Sequence, residues 1–331
     1  MQELNLALGD VPKWVVQLAS ADEHRENFSL TNINSSLRAG VGVELRLPGV
    51  HSDIGGSYAE RDPANPDLDG SYLVPRQAPA EHPSYDPQTH ALKKGRALPP
   101  PWSLNLEVRR VASTREQQQL IAQGWYLPGQ FVRQPVPYGE QVAAAYGQAL
   151  VGASFGAPLP PPQGPLAGVR YLTNEYQYVT LRIMHDFALG QHGGGHEPMD
   201  LHDFADDFAA YQVPPVLEET ARYLEKEAGS GRGRTPTTPE QDNEQDEQGR
   251  LKYPHGKPPE QLELANEAHT HWLRNRYLHR SAKQKGDFEP LGMETRVAEL
   301  RLIIPDDQPD YVPPSLRPGY HPPQLAGVPP A

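Results

Sequence analysis

Between residues 41 and 47 the chain reads VGVELRL, with Val41, Val43, Leu45 and Leu47 alternating with small or polar residues. Successive side chains of a strand point to opposite faces, so this period of two predicts a strand. Upstream, Val15, Val16, Leu18 and Ala19 predict a short buried strand or helix start, followed by a polar turn at 22–25. The run SLNLEVRRV at 103–111 alternates in the same way. The expected arrangement is a mixed sheet in which 41–47 pairs with 12–19 and takes 103–111 as a further neighbour.

Helical spacing takes over elsewhere. TREQQQLIAQ at 114–123 predicts a short helix with Thr114 as its cap. The Ala-rich run 139–151 predicts another. Within 168–190, Tyr178, Leu181, Met184, His185 and Ala188 fall at helical spacing. Residues 201–211, 216–227 and 259–282 predict further helices, and VAELRLIIP at 297–305 a last strand. Between these lie an excursion rich in Pro, Asp and Ala at 59–101, a Pro-rich break at 157–165 and a Pro-rich tail. GSGRGRTPTTPEQDNEQDEQG at 229–249 has no apolar side chain beyond proline to offset ordering entropy, so 229–258 is expected to be a disordered linker. No internal repeat stands out.

Composition narrows the function classes. Proline supplies 37 of 331 residues, so much of the chain is loop. A net charge of −12 is repelled by phosphate backbones, which argues against nucleic acid as a partner. There is no cysteine, hence no disulfide, thiolate metal site or cysteine nucleophile. MQELNLALGDVPKW lacks the basic-then-apolar order of a Sec signal peptide, and no run approaches the roughly 18 consecutive apolar residues of a spanning helix.

The candidate chemistry lies where the 41–47 strand ends. VELRLPGVHSDIGGSY places His51 and Asp53 two residues apart, between a Pro-Gly turn and a pair of glycines. A strand end is a rigid platform whose following loop aims side chains into a cleft, and a histidine there can serve as general base in acyl transfer. The same pattern also suits a capped turn with an exposed histidine. GVHSDIGGSY at 49–58 resembles a motif of the α/β-hydrolase family that includes the type VI secretion phospholipase (lipase) effectors, in which it commonly reads G-V-H-S-D-I-G-G-G-Y. Asp22, Glu23, Arg25 and Phe28 are similar to that family's D-E-x-R-x-x-F segment, and YVTLRIMHDFALG at 178–190 to the helix that follows. YLHRSA at 277–282 resembles a further family feature.

The resemblance covers about residues 12–190 and implies a partial α/β-hydrolase fold with long Pro-rich insertions and a helical C-terminal region. With the periodicity and composition, it divides the chain into the hydrolase-like part at 1–190, a helical segment at 191–228, the linker, and an amphipathic helix, strand and tail at 259–331. It implies a Ser-Asp-His triad acting on phospholipids, with His51 as general base and Asp53 orienting the loop or the histidine. It implies no cofactor. It implies a protein made in the bacterial cytoplasm and delivered by type VI secretion to the periplasm or membrane of a target cell, with a spike protein and a cognate immunity protein as partners. The triad acid is expected upstream of His51. The family's G-F-S-R-G-A elbow would precede the D-E-x-R segment, and none of the residues before Leu18 forms it, so the nucleophile is expected to be missing from this chain. Position 57 is Ser where the family has Gly.

Other constellations are weaker. Gly152-Ala153-Ser154-Phe155-Gly156 is a literal G-x-S-x-G, but the proline-dense run after it forbids the helix that an elbow needs, and Ser154 follows His51 instead of preceding it. His279 is read either as an active-site histidine from a late loop or as a histidine on a helix surface. His185, His192, His196, Glu197 and His202 lie near one another in sequence, yet a run of three glycines loosens the loop and no metal is expected there. The acids at 200–207 lack calcium-loop spacing. Two functions of different class follow: a lipid-hydrolysing effector, or a non-catalytic remnant that binds delivery or immunity proteins.

Overall fold

The structure, a computed structural model, describes residues 7–25, 27–56, 81–86, 91–97, 105–111, 113–133, 166–193, 197–201, 211–237, 243–280, 301–308 and 312–319. Along the chain it forms β1 (Val15–Ser20), β2 (Leu30–Thr31), α1 (Asn34–Arg38), β3 (Gly42–Leu47) and α2 (His51–Gly55). These are followed by β4 (Glu81–Asp86), β5 (Ala91–Ala97), β6 (Asn105–Val111), α3 (Thr114–Ala122), β7 (Phe131–Arg133) and β8 (Leu166–Leu172). The rest comprises α4 (Tyr176–Ala188), α5 (Glu218–Ala228), β9 (Glu260–Gln261), α6 (Glu267–Arg276) and β10 (Ile303–Ile304). The chain divides into two units, one of residues 1–58, 175–265 and 278–331, the other of 59–174 and 266–277. Both parallel and antiparallel pairs occur, which places the chain in the α/β class.

In the first unit the expected strand at 41–47 is β3, and its expected neighbour is β1. They pair in parallel from Val15↔Gly42 to Ser20↔Leu47. β9 adds to the other side of β3, also parallel, so β3 is central. Val43, Leu45 and Leu47 are fully buried, and Glu44 on the opposite face is buried too, as befits a strand covered on both sides. β2 pairs in parallel with β10, and Ala19, Leu30 and Ile303 close over one another. In α4 the buried positions are Tyr176, Val179, Thr180, Ile183 and Phe187. Periodicity located the helix but rotated its face, since Met184 is exposed. α5 buries Ala221, Leu224 and Ala228 and joins α4 through Arg182 to Glu218 at 3.0 Å.

Residues 229–237 and 243–249 contain no helix or extended strand, though Gln245 bridges antiparallel to Leu251, and the first stretch is fastened to the sheet. The Glu44 amide donates to the Gly233 carbonyl at 2.8 Å, and Asn34 and Thr237 bond to one another through side chains and backbone. Backbone and polar contacts hold this segment, so the lack of apolar side chains did not reveal it. Gly233 has φ +72°, and a Cβ there would lie 2.4 Å from the Glu44 carbonyl oxygen. Gly233→Ala is therefore expected to lower stability by about 2 kcal/mol or more, read as a fall in Tm. An unchanged Tm would show that the segment is not docked.

Several expectations are corrected, most of them in the second unit. The strand at 103–111 is β6, but it pairs antiparallel with β8, from Asn105↔Leu172 to Val111↔Leu166, and not with 41–47. Within the 59–101 excursion, β4 and β5 form an antiparallel ribbon. The cap of α3 is Ser113, whose Oγ accepts from the Glu116 amide at 3.1 Å, one residue before Thr114. The unit's interior is organised by a fully buried Arg170, paired with Glu107 at 2.8 Å and stacked near Trp125 and Tyr126. The expected helix at 259–282 begins only at Glu267, after β9. The expected last strand is reduced to Ile303–Ile304 among the described residues. The helix expected at 139–151, most of that at 201–211, and Ser154 lie outside the described residues.

Candidate functional site

Because β1 and β3 run parallel and in register, the loops that leave their carboxyl ends meet, and the sequence places its two motifs in those loops. The loop after β1 carries Asp22, Glu23, Arg25 and Phe28, and the loop after β3 carries Gly49, His51 and Asp53. The two are stitched by backbone: the Asp22 amide donates to the Gly49 carbonyl at 3.0 Å, and the Gly49 amide donates to Asp22 Oδ2 at 2.8 Å. Gly49 has φ +112°, and a Cβ there would lie 2.9 Å from Asp53 Cβ, so the glycine is required both by its backbone and by the approach of Asp53.

His51 opens α2. Its Nδ1 lies 2.7 Å from Glu23 Oε2, its Nε2 lies 3.1 Å from Ser52 Oγ, and its ring stacks on Phe28 with centroids 4.8 Å apart. The Glu23 carboxylate is fully buried and accepts from Arg25 Nε at 2.9 Å and from Nη2 at 2.8 Å. Arg25 Nη2 also approaches His51 Nδ1 at 2.5 Å. Arg25 is donor-only, so Nδ1 faces both that donor and the Glu23 acceptor; with the proton assigned to Nδ1 and directed at Glu23, the lone pair is on Nε2. The His51 side chain is 39% exposed while Glu23 is closed off.

Burial alone would raise the Glu23 carboxyl, but hydrogen bonds from Arg25 and His51 and the Arg25 charge outweigh it and bring it down to about 2. A carboxyl depressed on folding stabilises the protein above its unfolded value of 4.5, and that contribution is lost as pH falls towards about 2. Glu23→Gln is expected to remove on the order of 3 kcal/mol of acid-dependent stability in that window. The check is urea unfolding at stepped pH, where parallel curves for wild type and variant would contradict it.

A second carboxylate–imidazole pair lies beside the first. Asp53 Oδ2 accepts from the Val50 amide at 2.9 Å and from the His279 amide at 3.0 Å, while Oδ1 meets His279 Nδ1 at 2.7 Å. Burial pushes the Asp53 carboxyl up, and the hydrogen bond from His279 opposes it. His279 is not on a helix surface: α6 ends at Arg276, and His279 is 7% exposed. Asp53 thus contacts His279 and not His51, and the candidate residues His51, Asp53 and His279 fall into two separate carboxylate–imidazole pairs. Glu23 is the partner that sequence reasoning did not assign. Its signal was the resemblance of 22–28 to a family segment, which carries no role until the register of β1 against β3 is known.

The remaining motif residues frame α2. The Thr180 hydroxyl of α4 donates to the Ile54 carbonyl at 2.8 Å, and Gly56, at φ +72°, ends the helix in the left-handed region. Gly55 and Gly56 line an open, largely apolar cleft of about 490 Å³ with Leu181, Met184 and Tyr211. Among the described residues no cluster of His, Asp or Glu is arranged to hold a metal. His192 approaches Asp186 only at 3.8 Å, and His196 and His202 lie outside the described residues. Among the described residues no helix is long and apolar enough to cross a membrane.

No protein-family model matches this chain, and no curated protein does. Among solved structures it is similar to one described as the Tle1 effector bound to the VgrG spike from the Type 6 secretion system. The identity is 17% and the TM-score 0.35, over 88% of this chain and 50% of that one. The chain therefore spans about half the length of that structure, and a likeness at this level carries no argument about activity.

Proposed function

We propose that this chain carries the histidine half of a phospholipid-directed ester hydrolase of the type VI lipase-effector kind, with His51 as general base. The observation that carries the reading is the pair formed by a buried, ionised Glu23 and a half-exposed His51 at the ends of adjacent parallel strands. In this reading a serine hydroxyl attacks the acyl carbonyl carbon while His51 Nε2 takes its proton. Glu23 holds the resulting imidazolium through Nδ1–H. The same proton passes to the departing alcohol oxygen as the C–O bond breaks. Water then repeats the sequence on the acyl-serine and releases the fatty acid. Asp53 and His279 act as positioning residues that fix the loop. The serine comes from a segment other than the described residues, and α-helix-forming sequence after a G-x-S-x-G marks it.

One observation favours a second nucleophile. Ser52 is the only hydroxyl within hydrogen-bond reach of His51 among the described residues, so Ser52, His51 and Glu23 already stand in triad order. A single experiment separates the readings. Phospholipid vesicle hydrolysis is measured for the chain alone and for the chain extended by the polypeptide encoded immediately upstream. An inert chain that becomes active on extension supports the proposal. A chain active alone and silenced by Ser52→Ala replaces the nucleophile. Inertness in both forms overturns the hydrolase reading.

A further inference from the structure

A cavity of about 280 Å³ opens in the first unit beside the loop after β1, where Ala21 and His24 line it. Its charged lining is Arg46 from β3, Arg301 from the segment before β10, and Lys252, with His24 and His255 beside them. No acidic side chain lines it among the described residues, although the chain carries a net charge of −12.

The two arginines are held but under-compensated. Arg301 donates through Nε to the Phe28 carbonyl at 2.7 Å and through Nη1 to Ser20 Oγ at 3.0 Å, which leaves the rest of its fork for the cavity. Arg46 Nη2 donates to Gln261 Oε1 at 2.8 Å, while its buried Nε has no hydrogen-bond partner among the described residues. Burial pulls both guanidinium groups down, opposed for Arg46 by Asp22 and Tyr253 and for Arg301 by Glu23 and Glu44; of these only Tyr253 lines the cavity, and none of the carboxylates does. Lys252 stands at the rim, paired with Glu244.

The wall is rigid. The Ile303 amide donates to the His255 carbonyl at 2.8 Å, and the Ser315 amide to the Pro254 carbonyl at 2.7 Å. A Cβ on Gly256 would lie 2.6 Å from the Ile303 carbonyl oxygen, so the 252–256 loop sits directly on β10. Fixed forks of N–H donors facing a recess without acids match the oxygens of a tetrahedral anion. The volume is several times the roughly 30 Å³ that one water occupies.

We infer that this cavity binds a phosphoryl group through Arg46 and Arg301. The inference is independent of the hydrolase reading, because binding is read without turnover. Calorimetric titration of the full chain with inorganic phosphate, at constant ionic strength set with chloride, gives the first arm. Sedimentation with phosphatidylglycerol vesicles gives the second. Arg46→Gln and Arg301→Gln are each expected to weaken binding about 10- to 100-fold, while Arg222→Gln on the exposed surface of α5 leaves it unchanged.

Arg301 also ties β1 to the Phe28 backbone, so its variant is compared with Arg46→Gln, which loses a single side-chain bond, and both are checked by circular dichroism. Saturable phosphate binding that depends on Arg46 supports a free phosphoryl ligand. Dependence on Arg46 seen only with vesicles assigns the site to a lipid headgroup. Absence of binding in both arms, or equal weakening by Arg222→Gln, overturns the inference.

Discussion

In the protein completed with its nucleophile, Glu23→Gln is expected to lower kcat by roughly 10⁴-fold with little change in KM. A glutamine at this position would present an N–H or a carbonyl to His51 Nδ1. The N–H would force the imidazole proton onto Nε2, the nitrogen that must accept from serine. Either way the negative charge that stabilises the imidazolium disappears. Arg25 makes the outcome informative, since it holds Glu23 at 2.9 and 2.8 Å and its Nη2 shares Glu23 Oε2 with His51 Nδ1. Arg25→Met should free Glu23 to act on His51 alone, so a smaller effect on kcat is expected than for Glu23→Gln. A loss after Glu23→Gln no larger than that of Arg25→Met would make Glu23 a scaffold residue.

Asp53→Ala is expected to be the most destabilising single change in this region, by about 3–5 kcal/mol. It strands the Val50 amide, the His279 amide and His279 Nδ1, all of which converge on one carboxylate buried between α2 and residues 278–280. It also leaves space against Gly49, whose backbone was built for that contact. Asp53→Asn keeps the shape and one acceptor and should cost less. Equilibrium urea unfolding reads both. If His279→Ala matches Asp53→Ala in stability, the pair is structural. If Asp53→Ala is nearly neutral, Asp53 does not anchor the loop after β3.

The local elements were legible where period and chemistry agreed. The alternation at 41–47 identified β3, and the Pro-Gly, His-x-Asp and Gly-Gly spacing singled out the loop after it as a candidate site. What escaped depended on contacts distant in sequence. The pairing of Glu23 with His51 follows from the parallel register that brings Ser20 opposite Leu47, and no local pattern encodes that register. His279 was open to a helix-surface reading because the amphipathic pattern runs on past Arg276, whereas the chain leaves the helix there and Asp53 captures it. Asp53 was expected to orient the loop or His51, and the histidine it contacts is His279. The strand at 103–111 was identified as a strand and given the wrong partner, because alternation specifies a face and not a neighbour. Residues 229–237 showed only an absence of apolar side chains, and their attachment runs through a left-handed glycine and the Asn34–Thr237 bonds.

The measurement that bears most directly on the central claim is phospholipid hydrolysis by the serine-completed protein, with His51→Ala and His279→Ala assayed side by side and each shown to be folded. His51→Ala is expected to reduce kcat by roughly 10⁴-fold while the fold persists, and His279→Ala to lower stability more than turnover. A folded His51→Ala variant that retains activity, with the loss falling on His279→Ala instead, would contradict the assignment of His51 and Glu23 as the working pair.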